Sequence, residues 1–279
     1  MKSQYLFCIL LCAAGLVQRS AVGEIELELS TDHTKYIEFE PVVAFLTLEN
    51  VSDRAFLIRS DDATLDTRVD FHLEVASRNA GGREKAASVL NSCLILGGEK
   101  QAFMVDLSTH YQLGRSGRYT LWATAHWNGE TFESAPIHIR VVTGLPMASR
   151  ERTVPGVGGR DRRRFSLRYL DRDESESIFL IADDLEEGQN YGVFDLGKLV
   201  RFHKPSIDVT PSGRITVYHQ SSPTFFTKSV LQSDPKGLRL LDQQYESESR
   251  KGKLDFSDSA PEKNPPASNQ RTWWPFGNK

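Results

Sequence analysis

The stretch Gly117–Val142, GRYTLWATAHWNGETFESAPIHIRVV, is the most sharply patterned part of the chain, and its period of two commits it to β structure. Tyr119, Leu121, Ala123, Ala125 and Trp127 fall on one face of an extended strand. Asn128-Gly129 is a strong signal for a two-residue hairpin turn, and Ile137, Ile139 and Val141 resume the alternation on the far side. Carried through that turn, the register puts Phe132 with the inward set but leaves Ile137 outside. A bulge near Ser134–Pro136 repairs the mismatch, and a proline suits such a position.

The same alternation runs through the chain before the hairpin. Ile25, Leu27 and Leu29 alternate with acidic neighbours, residues 42–49 (VVAFLTLE) form a second strand, and residues 55–59 a third. Phe71, Leu73 and Val75 belong to a fourth, which ends before the turn at residues 79–82. Residues 85–90 read as a short helix and residues 93–96 as strand. Phe103, Val105 and Leu107 are then the inner face of the next strand. Short strands separated by turn signals at this spacing predict an antiparallel sandwich over residues 24–145.

Several of these residues carry a resemblance. A strand ending in Glu49-Asn50, a later Tyr111-x-Leu113, then Gly117-x-Tyr119-x-Leu121-x-Ala123 and Ser134-x-Pro136-x-x-Ile139 together resemble the immunoglobulin-like sandwiches of bacterial exported proteins. Macroglobulin-type and BsuPI-type proteinase-inhibitor domains are similar in this respect. The resemblance spans residues 25–142 and concerns packing: it implies that the tyrosine and small residues hold the last hairpin against the opposite sheet. It implies a fold and no inhibitory loop, so activity does not follow from it.

The ends of the chain bear on location. Lys2, an apolar run over residues 6–17 and the small residues Ala21 and Gly23 form a secretory signal with expected cleavage after Gly23. At about 12 residues the run is shorter than the roughly 20 needed to span a bilayer. Leu10 and Leu11 stand before Cys12 where a lipidation site wants small residues. The expected product is secreted or periplasmic, and Cys93 is its sole cysteine, read as a small buried hydrophobe. Residues 24–145 and 165–246 are both acidic in balance, which argues against a nucleic-acid face on either.

Residues 146–164 combine prolines, glycines and six basic residues without apolar periodicity, and read as a basic linker open to trypsin. Residues 165–246 form a second small antiparallel β domain, a sandwich or open barrel. A faint repeat that sets Ile178 against Ile215, 37 residues apart, suggests blade-like units. Residues 247–279 read as a disordered tail ending in Trp273, Trp274 and Phe276, an aromatic group suited to contact with a protein or envelope component.

The common short catalytic and metal signatures are missing, and no cofactor is indicated. His126 and His138 sit on the two arms of the hairpin, with His126 opposite Thr131 and His138 farther down the ladder, too distant to share a metal. His203 and His219 are candidates for one groove in the second domain. The acidic clusters at residues 171–176 and 183–187 lack the spacing of a calcium loop. Asn50-Val51-Ser52 has the form of a glycosylation acceptor if the host is eukaryotic. The expected function is a non-enzymatic exported protein with a binding or scaffolding role. The alternatives are a proteinase inhibitor or enzyme-accessory domain, and a hydrolase with its site in the second β domain.

Overall fold

A computed structural model describes residues 24–59, 67–76, 83–86 (backbone only), 90–111, 113–156, 159–172, 175–186 and 188–247. The expected signal, the turn at residues 79–82 and the tail with Trp273, Trp274 and Phe276 lie outside the described residues. The fold is all-β, built from several antiparallel sheets. No helix among the described residues is long and apolar enough to cross a membrane.

The first half contains β1 (Ile25–Thr31), β2 (Lys35–Ile37), β3 (Val43–Asn50), β4 (Phe56–Ile58), β5 (Arg68–Val75), β6 (Arg83–Ala86), β7 (Cys93–Ile95), β8 (Lys100–Asp106), β9 (Gly117–Trp127), β10 (Glu130–Glu133) and β11 (Ile137–Val142). One sheet has the order β1-β3-β8; the other runs β2-β11-β9-β5-β6, with β10 also on β9. They share one core, to which Ile25, Leu46, Leu48 and Val105 come from the first sheet and Phe71, Leu73, Leu121 and Ile139 from the second. Trp127 meets Phe56 edge to face with ring centroids 5.7 Å apart. The Tyr111 hydroxyl donates to the Phe71 carbonyl at 2.6 Å, tying the loop before β9 to the neighbouring strand.

The hairpin follows the expected register. Asn128 and Gly129 both take positive φ, at 51° and 78°, as the two-residue turn requires. Glu133 pairs with Thr124 while Ile137 pairs with Leu121, so one extra residue is accommodated between them, the bulge that the alternation demands. Ser134 completes it: its Oγ accepts from the Ala123 N–H at 3.0 Å. Two readings change. Residues 83–86 are strand, paired antiparallel with β5, where the sequence suggested helix from residue 85. Cys93 is half-buried against the core rather than enclosed by it.

Asn50 closes the end of β3. Its side-chain amide donates to the carbonyls of Arg54 (2.6 Å) and Ile95 (3.0 Å), and its Oδ1 accepts from the Ser52 N–H and hydroxyl. The side chain is fully buried, so a glycan on Asn50 is incompatible with this fold. The Asn50→Ala variant removes four side-chain hydrogen bonds, one of them the buried bond to the Ile95 carbonyl. Thermal melts should show a loss of roughly 1–3 kcal/mol, and an unchanged melt would show the turn to be held by backbone bonds alone.

The second half contains β12 (Leu145–Gly156), β13 (Gly159–Arg172), β14 (Ser175–Asp184), β15 (Asn190–Lys198), β16 (Ser206–Val209), β17 (Arg214–Gln220), β18 (Phe225–Asp234) and β19 (Gly237–Ser247). These form two four-stranded antiparallel meanders, β12-β13-β14-β15 and β16-β17-β18-β19, and share a core. Phe165, Leu167, Ile178 and Leu180 enter it from one sheet, Ile207, Ile215, Val217 and Leu231 from the other. The second β unit is therefore a sandwich. The 37-residue repeat matches β14 with β17, which hold the third and second places in their sheets. It is a repeat of strand and turn pattern, not of whole units.

Residues 146–164 are not a connector. Residues 146–156 and 159–164 lie in β12 and β13, paired from Leu145↔Tyr169 to Gly156↔Gly159. β12 is an edge strand with most of its side chains in solvent, so its composition is polar and it tolerates Pro146 beside a bulge. Arg162 and Arg164 of β13 pair with Glu151 of β12, and Arg152 of β12 donates to the Val209 carbonyl. Arg163 turns inward and is fully buried.

β14 explains how the halves meet. Ile178, Leu180 and Ala182 face the second core, while Phe179 and Ile181 point the other way and pack with Leu170 against Ile37 of β2. Both faces of the strand are covered, hence a continuous apolar run instead of an alternating one. Beside this cluster the Arg172 guanidinium reaches Glu40 at 2.5 Å and Asp195 at 3.1 Å, and Lys35 donates to the Asp171 carbonyl. Burial raises the Glu40 carboxyl above its ordinary range, partly offset by Arg172.

Candidate functional site

The alternation that builds the second core changes character toward one end. On β17, Ile215, Val217 and His219 share the inner face. Their partners on β18 are Leu231, Ser229 and Thr227, and β19 then presents Gln243 opposite Ser229 and Tyr245 opposite Thr227. Over three rungs the inner face passes from Ile215–Leu231, wholly apolar, to His219–Thr227–Tyr245, polar throughout. Ser229 is accounted for: Gln243 Nε2 donates to its hydroxyl at 3.0 Å and to the Leu196 carbonyl at 3.2 Å.

The last rung is not accounted for. His219 and Thr227 are each 1% exposed, yet neither ring nitrogen of His219 nor the Thr227 hydroxyl has a hydrogen-bond partner. Leaving such groups unpaired costs roughly 1–3 kcal/mol each, so three together in a native core call for an explanation. Burial depresses the His219 pKa to about 4; the Lys198 backbone lies near enough to counter this in part, though not in hydrogen-bonding geometry. The ring is neutral at physiological pH.

A pocket of about 420 Å³ opens directly above this rung. Its walls are the end of β15 (Leu196–Lys198), the turn at residues 221–225, Thr227 and Tyr245. Thr227 is among the lining residues, with its hydroxyl enclosed beneath the surface, and His219 stands beside it across the strand pair, outside the lining. Tyr245 (70% exposed) and Phe225 (47%) form the rim. Lys198 is the one charged side chain among the described lining residues.

His203 does not join this site. Its Nδ1 bonds Gln220 Oε1 at 2.9 Å and its ring meets the edge of Phe226, which also stacks on Tyr218. Gln220, Tyr218 and Phe226 alternate with His219 and Thr227 and therefore occupy the opposite face of the sheet. The two histidines expected to line one groove are thus on opposite sides of it. The carboxylate that a hydrolase reading places beside His219 is not among the described lining residues. Thr227, Ser229, Gln243 and Tyr245 were the residues to find. Their signal was the run Thr227-x-Ser229-x-Leu231, polar residues in register with an apolar inward one.

The other candidates are engaged. His126 lies opposite Thr131 and bonds it at 3.1 Å, and it also lies 3.4 Å from Asp70, which Arg68 holds at 2.9 Å. His138 bonds Thr120 at 3.1 Å. That rung is six residues from the first along β9, about 20 Å at strand rise. In the acidic clusters Glu176 pairs with Arg201, Asp183 accepts from Asn190, and Asp184 caps the turn at Glu186. Asp173, Glu174 and Glu187 lie outside the described residues. No group of three or more metal-ligating side chains occurs among the described residues.

No family model matches the chain, and no curated protein does. Solved structures to which it is similar include the alkylpurine DNA glycosylase AlkC of Pseudomonas fluorescens, at 16% identity and a TM-score of 0.31, over 42% of this chain and 30% of that one. A β-glucosidase of Listeria innocua is similar at 16% identity and a TM-score of 0.29, over 42% of this chain and 16% of that one. The sporulation control protein Spo0M of Bacillus subtilis is similar at 13% identity and a TM-score of 0.28, over 63% of this chain and 90% of that one. The chain thus spans less than a third of the first two proteins. At these scores the likenesses carry no argument about fold or activity.

Proposed function

We propose that this chain is an exported, non-enzymatic binding protein whose recognition site is the polar pocket of the second sandwich. In this reading the first sandwich, immunoglobulin-like by its sequence resemblance, is the frame, and the joint at Ile37, Phe179 and Arg172 keeps the pocket in a fixed orientation to it. Export rests on the N-terminal signal pattern. The observation that carries the binding role is an open pocket of about 420 Å³, lined by Lys198 and Thr227 and rimmed by the exposed rings of Phe225 and Tyr245. The aromatic group Trp273, Trp274 and Phe276 serves in this reading as a second contact, toward a protein or envelope component.

Thermal unfolding of residues 24–279 against a library of neutral and charged small molecules tests the site. A ligand at a hundred times its Kd adds about 2.7 kcal/mol, several degrees for a protein of this size. That gain should vanish in Thr227→Val. A library in which no compound raises the melting temperature, or raises it equally in Thr227→Val, defeats the proposal. Pull-downs with and without residues 272–279 test the tail, whose role is lost if the two capture the same partners.

A further inference from the structure

We infer that Arg152, Arg160 and Arg162 form a site for a phosphoryl dianion, either free phosphate or the head of a phosphomonoester. The site stands at the end of the second sandwich away from Thr227, and it does not depend on the reading of that pocket.

Strand alternation assembles it. On β13, Asp161, Arg163 and Phe165 turn inward, so Arg160, Arg162 and Arg164 share the outer face at about 6.6 Å a step. Asp161, the carboxylate beside them in sequence, is on the other face and is engaged by Arg163 and Tyr191. Asp183, opposite Arg164 on β14, accepts from Asn190. On β12 the outer positions are Thr153, opposite Arg162, and Glu151, opposite Arg164. Arg152 belongs to the same edge strand and reaches the other sheet, its Nε donating to the Val209 carbonyl at 2.9 Å. Glu151, Arg152, Thr153, Arg160, Arg162 and Pro211 line a cavity of about 430 Å³.

The charge of the lining selects the ligand. Three arginines face one carboxylate, Glu151, which leaves two positive charges among the described lining residues. A carboxylate or a sulfate ester cancels one of them. A phosphomonoester, at about −1.5 to −2 near pH 7, cancels nearly both. The donors fit as well, since a guanidinium fork meets two phosphate oxygens at once. Arg152 uses only its Nε and Arg162 ties one nitrogen to Glu151, while Arg160 has no partner among the described residues. Those two bonds hold Arg152 and Arg162 in place before a ligand arrives, which lowers the cost of ordering them. Glu151 is shared between Arg162 and Arg164 with 40% of its side chain exposed. An exposed pair of this kind is weak, so a dianion displaces the carboxylate from Arg162. The cavity is larger than a phosphoryl group and leaves room for the body of an ester beside Thr153 and Pro211.

The test is calorimetric and NMR titration of residues 24–279 at low salt with inorganic phosphate, glycerol 2-phosphate, methyl sulfate and acetate. The two phosphates should bind saturably and shift the side-chain Nε–H signals of Arg152, Arg160 and Arg162. The two monoanions should bind about tenfold more weakly. Tighter binding of glycerol 2-phosphate identifies an ester as the ligand, and no gain over inorganic phosphate identifies free phosphate. Arg160→Gln and Arg160→Lys should each weaken binding by about tenfold with the far-ultraviolet circular dichroism unchanged, because lysine keeps the charge and loses the fork. Glu151→Gln should strengthen it by about threefold, and Arg118→Gln, on the first sandwich, should leave it as it is. Absence of saturable binding by both phosphates overturns the inference. So does binding that acetate or methyl sulfate matches, or that Arg160→Lys retains in full, since either result reports a diffuse positive field in place of a site.

Discussion

Replacing Arg163 by methionine should cost roughly 3–5 kcal/mol and unfold the second sandwich first. Arg163 is fully enclosed. Its Nη1 donates to the Ser233 hydroxyl at 2.7 Å and the Asp234 carbonyl at 2.8 Å, its Nη2 to Asp161 at 2.9 Å, and its guanidinium lies 3.4 Å over the Tyr191 ring. One side chain thus binds β13 to β15 and to the turn between β18 and β19, joining the two sheets at the end opposite the pocket. Methionine fills part of the volume but leaves a carbonyl and a hydroxyl without partners. It also frees Asp161, whose pKa the Arg163 and Tyr191 hydrogen bonds lower. Arg163→Lys keeps the charge but not the planar fork, and should restore less than half of the loss. Tyr191→Phe removes one hydrogen bond to Asp161 and should cost about 1 kcal/mol. Urea unfolding followed by circular dichroism reads all three. The order methionine, lysine, phenylalanine in decreasing cost is required, and a loss under about 1 kcal/mol for Arg163→Met would show that the sheets are held by apolar packing alone.

Arg163 also marks where the sequence was hard to read. Among six basic residues between prolines and glycines, one inward arginine has no pattern to betray it. β12 lacks apolar periodicity because it is an edge strand with little inner face to fill. The hairpin at Gly117 was legible down to its turn and bulge, because a buried face on one side and solvent on the other force strict alternation. β14 was legible as strand but not as the joint, since a run buried on both faces does not say what covers the second. For the site, His219 was visible as a residue type. Its isolation from His203 follows from their standing on opposite faces of the sheet, and its want of a partner only from the packing around Lys198 and Thr227. The polar inner face at residues 227–231 looks in sequence like any solvent-exposed strand.

His219 should make the fold acid-sensitive between pH 6.5 and 4. In the folded chain burial holds its pKa at about 4, while in the unfolded chain it returns to 6.5. Between those values the unfolded state binds a proton that the folded state does not, so stability falls as pH falls from 6.5 to 4 and the loss is complete below the lower value. At 1.36 kcal/mol for each unit of difference, the full loss is about 3 kcal/mol. The His219→Leu variant removes this dependence along with two unpaired nitrogens. It should match or exceed the parent by up to ~1 kcal/mol at pH 7 and exceed it by several at pH 4. Carboxylates such as Asp161 titrate in both proteins, so the difference between their urea midpoints isolates the imidazole. Parallel pH profiles would mean that the ring finds a partner for its proton in the folded state.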